Sequence, residues 1–223
     1  MIDQKLKRSL GQMMHAVQVV GATDGSDPHL YCSHWVMQVS FEEPIVMASV
    51  SPKHDTYAHI ASTGRFSVSV LGADQIAEGQ YFSYPGRRFR NVAEEFVEDW
   101  DGLPVVVNAI AWLRCEVEER LTMYDHELFF ARVTATREGR LKDPPLLYSS
   151  RLGWRSAGGP AREPGVSIRD QLLARLPADA DDLADAPETR TRQERNRPLL
   201  FPEPAPGVEV TSVMVDQLFD ELP

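Results

Sequence analysis

The chain has 223 residues, 43% of them apolar and 25% charged, which is ordinary globular composition and allows one domain with an appendage. Its 33 acidic against 23 basic side chains leave a net charge of −10, so no nucleic-acid partner and no acidic membrane surface is expected. Cys32 and Cys115 are the only cysteines and show neither C-x-x-C nor zinc spacing, which argues against a disulfide scaffold and a metal site and favours the cytoplasm.

The opening residues MIDQKLKRSL mix charges among the apolar positions and form no signal-peptide core. The longest apolar run, 105–113, is broken by Asn108 and is far short of the roughly 20 residues that span a bilayer, so no membrane segment is expected.

In chain order, Leu6, Leu10, Met13 and Met14 place an apolar stripe on a short first helix. Strand-like runs follow at 16–22, 30–36, 45–50 and 65–71, with a helix at 55–62 stopped by Gly64. Two long strands, 109–121 and 127–138, are joined near Tyr124 and Asp125 as a hairpin. Many strands, few helices and single-domain length predict a mainly β fold, a closed barrel with peripheral helices.

Beyond residue 155 the composition shifts. Residues 1–155 hold 16 basic and 20 acidic side chains, whereas 156–223 hold 7 and 13, no lysine and nine of the 16 prolines. The division is therefore a barrel domain, 1–155, and an extended, acidic, proline-rich arm, 156–223. Two short amphipathic helices are expected within the arm. One follows a capping box of Ser167 and Asp170 and carries Ile168, Leu172, Leu173 and Leu176; the other carries Val215, Leu218, Phe219 and Leu222.

No Walker loop, G-x-G-x-x-G, G-x-S-x-G or H-E-x-x-H occurs, so the usual nucleotide, dinucleotide, serine-hydrolase and zinc-protease motifs are missing. His29/His34 and His54/His59 are each five apart, which puts neither pair on one face of a helix or regular strand. The segment Ser51-Pro52-Lys53-His54-Asp55-Thr56 joins an apolar strand to a helix start. Helix-start N–H groups beside Ser, Lys, His and Thr are what a phosphate needs, and a capped helix with a solvated loop explains the same residues. Trp35 reads either as part of such a site or as core filling.

The block SHWVMQVSFEEPIVMASVSPKHDTYAHIASTGRFSVSVL, 33–71, resembles the flavin reductase-like family of FMN-binding split β-barrels. That family's typical pattern is Ser-Trp-Val-x-Gln-Val-Ser-Phe-x-Pro-Pro, then an apolar strand, a Ser/Arg/His loop and G-x-F-x-V-N-V-L. The resemblance extends to LGQMM near Leu10, to Phe82, Ser83, Arg88 and Phe89, to AWLRCEV at 111–117 and to DHELFFARV at 125–133, where the family reads D-H-T-L-F.

The resemblance implies a Greek-key split barrel and a homodimer with flavin near the subunit interface. It implies that Cys32, Ser33, His34, Trp35, Val36 and Gln38 run along the flavin ring and ribityl chain, mostly through backbone groups. Ser51, Lys53, His54 and Thr56 would hold the phosphate, and His126 would lie near the ring face as the catalytic histidine. The implied activity is hydride transfer from NAD(P)H to flavin N5 of FMN, or of FAD, with reduced flavin supplied to a partner oxygenase. Two other functions stay open: an enzyme that retains FMN and acts on its own small organic substrate in a biosynthetic pathway, and a haem-binding or non-catalytic split barrel. Departures from the pattern are Cys32, His34, Ser69 and Tyr124, of which bulky His34 and Tyr124 are expected to narrow the space over the flavin.

Overall fold

The computed structural model describes residues 3–25, 27–84, 93–156, 159–160 and 174–175. Nearly all of the arm, including the residues of both amphipathic stretches apart from Ala174 and Arg175, lies outside the described residues, as do Arg88 and Phe89.

In chain order the elements are α1 (Gln4–Leu10), β1 (His15–Ala16), β2 (Gln18–Ala22), β3 (His29–Ser33), β4 (Val36–Gln38), β5 (Ile45–Val50) and α2 (Asp55–Thr63). There follow β6 (Arg65–Val70), α3 (Ile76–Tyr81), β7 (Val97–Trp100), β8 (Leu103–Val106), β9 (Ala111–Met123), β10 (His126–Glu138), β11 (Leu146–Ser149) and β12 (Gly153–Ser156).

Seven strands form one antiparallel sheet in the order β3-β2-β6-β9-β10-β5-β4, and the fold is mainly β and barrel-like, with helices at its periphery. No ladder between β3 and β4 completes the ring among the described residues, which corrects the expectation of a closed barrel. The two strands are the ends of the sheet, and the predicted continuous strand 30–36 is broken between them at His34 and Trp35. The local pattern hides this break because no glycine or proline interrupts residues 30–36. Ser33 makes the bend, its hydroxyl accepting the Trp35 N–H at 3.1 Å.

Strand periodicity sorts the side chains onto two cores. Val20, Phe66, Val68, Phe129 and Ala131 pack with Tyr57 and Ile60 inside the curl of the sheet. Val19, Leu71, Val105, Trp112 and Leu146 pack with Tyr81 and Phe82 of the α3 region on its other side. Gly21 marks where two strands come too close for a side chain, since a Cβ there would lie 2.2 Å from the Pro104 carbonyl oxygen. The buried Ser69, a departure from the family asparagine, accepts the Val106 N–H at 3.0 Å and so anchors β8 to β6.

The β9–β10 hairpin turns at Tyr124 and Asp125 as expected, with Tyr124 at a φ of 49°. Irregularities between Phe130 and Ala131 and between Val133 and Ala135 bend it. Gly64, left-handed at φ 68°, ends α2. The first helix departs from expectation: it stops at Leu10, leaving Met13 and Met14 outside, and buries none of its residues, Leu6 being 50% and Leu10 49% exposed. Its periodicity records an amphipathic helix, not a surface for it to cover.

Candidate functional site

The sheet end at β3 and the turn after β5 set the site. Successive residues of a strand face opposite sides. Tyr31 therefore joins the core inside the sheet, while Cys32 packs against the other core. The sequence-predicted residues divide accordingly.

On the inner side, Tyr31 stacks on His54 with ring centroids 4.4 Å apart. His54 is the N-cap of α2, in extended conformation, and its imidazole makes no capping bond to the helix. The helix start is thus left to Ser51, Lys53 and Thr56 and to the turn's own backbone. Ser51 closes that turn: its carbonyl accepts the His54 N–H at 3.0 Å and its hydroxyl the Lys53 N–H at 3.4 Å. Lys53 is exposed and Thr56 is buried. An open helix start flanked by a lysine and hydroxyls fits the phosphate of a flavin nucleotide.

The hairpin tip faces this turn. His126 Nδ1 lies 3.1 Å from Asp125 Oδ1 and its ring meets Trp35 edge-on at 4.9 Å. The hydrogen bond from His126 holds the Asp125 carboxyl below the usual range, with Lys53 adding to the effect. Burial holds the His54 imidazole below its ordinary range, His126 adds to this, and Asp55 opposes it. Loop and hairpin tip therefore feel each other electrostatically at two successive positions.

On the other side, Cys32, His34, Gln80, Ser83, Tyr84 and Tyr148 line a cavity of about 370 Å³. His34 sits there among His15, Trp35 and Tyr148, at centroid distances of 5.5, 5.1 and 5.2 Å. It takes up space beside the cavity, as its bulk suggests. Tyr124 does not: at the hairpin tip it is 94% exposed, so within this chain it narrows nothing. Burial pushes the Cys32 thiol up to about 12 against a lowering hydrogen bond from Ser83, which leaves a protonated, unreactive thiol at neutral pH.

Val36 and Gln38 are not brought into this arrangement by their side chains. Val36 is buried in the core inside the sheet, and the exposed Gln38 donates its amide to Ser40 O at 2.8 Å. Sequence reasoning missed Tyr31, Gln80, Tyr84 and Tyr148. The only available signal was the alternation of 29–33, which put Tyr31 opposite Cys32. Among the described residues, no cluster of three or more His, Cys, Asp or Glu side chains is placed to hold a metal ion.

The two shifted histidines give a pH dependence. His34, lowered first by burial and then by His15, and His54 both prefer the neutral form in the folded chain. Their unfolded values lie near 6.5, so the unfolded state binds more protons just below that pH. Their contribution is complete above about pH 6.5 and is lost as pH falls toward the folded-state values. The thermal midpoint is expected to drop between about pH 7.5 and 5.5, and His34→Gln with His54→Gln to flatten that slope. An equal slope in the double variant assigns the dependence to other groups.

Comparison with known proteins gives the family of the fold. The family model described as "Flavin reductase like domain" matches residues 10–152. An NADH-dependent flavin reductase of Pseudomonas fluorescens is 32% identical over 131 residues, covering 58% of this chain and 75% of that protein. An NADH:riboflavin 5'-phosphate oxidoreductase of Streptomyces pristinaespiralis is 29% identical over 151 residues, covering 66% and 85%. The solved structure of the styrene monooxygenase flavin reductase from Pseudomonas putida superposes with a TM-score of 0.63 at 26% identity, covering 70% of this chain and 99% of that one.

Proposed function

Because this chain belongs to the flavin reductase-like family, and so is a flavin-dependent oxidoreductase, we propose that it reduces FMN with NADH or NADPH and supplies reduced flavin to a partner oxygenase. The observation that carries the FMN assignment is the uncapped start of α2 beside Ser51, Lys53 and Thr56. The relative named for riboflavin 5'-phosphate and NADH, and the solved reductase named for a styrene monooxygenase, support the nucleotide and the partner. Family membership favours this reading over haem binding.

When bound, the flavin supplies the redox chemistry, taking hydride from the nicotinamide and passing electrons on. The chain binds and orients. Ser51, Lys53, His54 and Thr56 hold the phosphate, with Lys53 as the positive charge because His54 is neutral at pH 7. Cys32, Ser33, His34 and Trp35 border the ring and ribityl chain, and Val36 and Gln38 offer only backbone groups. Asp125 fixes the tilt of His126 through Nδ1, so that Nε2 is presented to the nicotinamide. The exposed apolar residues Met37 on the end strand β4 and Phe41 just after it suit a homodimer. Two free cysteines accord with a cytoplasmic setting, and no described helix is long and apolar enough to cross a membrane.

Anaerobic mixing of the protein with FMN and either nicotinamide nucleotide tests the assignment. Flavin absorbance is expected to bleach much faster than without protein, and faster with FMN than with riboflavin. Bleaching at the protein-free rate overturns it.

A further inference from the structure

Glu127 follows His126 on β10 and points the opposite way, into the core inside the sheet. It is 1% exposed, among the most buried side chains described. A buried carboxylate needs strong partners. Tyr57 donates its hydroxyl to Glu127 Oε2 at 2.6 Å, and Arg120 Nε lies 3.8 Å from Oε1. In the pattern D-H-T-L-F that the sequence resembles, this position is threonine; here it is a carboxylate.

Tyr57 is the third residue of α2, in the turn that follows Ser51, Lys53 and His54. Its ring is buried against Phe129, edge-on at 5.9 Å, two residues beyond Glu127 on the same strand face. The hydrogen bond therefore ties the start of α2 to the strand that begins with His126. The β5–β10 ladder already sets Val50, next to Ser51, opposite Glu127; among the described residues no ladder reaches α2 itself, and the hydrogen bond carries the tie across the turn to the helix start. Asp125 feels the charge of Lys53 and His54 that of His126, whereas Glu127 and Tyr57 meet within hydrogen-bond distance and out of water.

We propose that Glu127 is a positioning residue which, through Tyr57, holds the 51–56 turn in the geometry that recognises the flavin phosphate, at a set distance from His126. This rests on the assignment of that turn to the phosphate. Neither Glu127 nor Tyr57 touches the ligand. Their effect falls on the part of the flavin nucleotide that riboflavin lacks.

The test is the ratio of riboflavin to FMN dissociation constants, measured by fluorescence titration of the full chain. Tyr57→Phe removes the donor and is expected to lower that ratio about fivefold, the effect of one net hydrogen bond, with riboflavin affinity nearly unchanged. Glu127→Gln keeps an acceptor for the tyrosine hydroxyl and is expected to retain the wild-type ratio. Should Tyr57→Phe fail to fold with its carboxylate stranded, Tyr57→Phe with Glu127→Met removes both polar partners, and the same fall in ratio is expected. An unchanged ratio, or equal losses for FMN and riboflavin, reduces the pair to a structural bond and overturns the proposal. A wild-type ratio near one instead removes the phosphate assignment, and the positioning role with it.

Discussion

Replacing Lys53 and His54 together by alanine is expected to weaken FMN binding by about 1 to 3 kcal/mol, roughly five- to 150-fold, and to leave riboflavin binding almost unchanged. The two residues differ in kind. Lys53 is exposed and carries the charge, so its share is expected to shrink with rising salt. His54 is partly buried, neutral and stacked on Tyr31, and its share comes from a neutral hydrogen bond and from the shape of the helix start. Parallel titrations of FMN and riboflavin at low and high salt check this. Equal losses for the two ligands assign the turn to general packing.

His126→Ala is expected to slow flavin reduction by NADH or NADPH about ten- to 100-fold while flavin stays bound, because misplacing a reacting partner by about 1 Å costs that much. The imidazole is held from two directions, by Asp125 at 3.1 Å and by the Trp35 edge at 4.9 Å, so its place at the hairpin tip is defined before any ligand arrives. Asp125→Asn, which keeps a hydrogen-bond acceptor, is expected to lose less. Stopped-flow reduction with saturating FMN separates the rate from binding. An unchanged rate makes His126 a structural strand residue, with Trp35 as its packing partner.

Elements that organise themselves over a few residues were legible in the amino-acid sequence alone. The apolar run 45–50 and the run 65–71 placed β5 and β6, Gly64 marked the end of α2, and Tyr124 with Asp125 marked the turn of the long hairpin. The turn at 51–56 was legible as chemistry, since Ser, Lys, His and Thr before a helix point to an anion whatever the fold. Tertiary structure alone decided what these pieces meet. The break at His34 and Trp35 follows from β3 and β4 lying at opposite ends of one sheet, which no local pattern encodes. The cavity beside Cys32 needs Tyr148, carried there by β11 pairing with β1 from the far end of the domain. Tyr57 and Glu127 stand 70 positions apart and meet only because α2 packs inside the curl of the sheet. Periodicity states which face of an element is apolar, and for α1 that face stays in solvent. Which face meets which depends on strand order and register, set by the whole chain's burial at once.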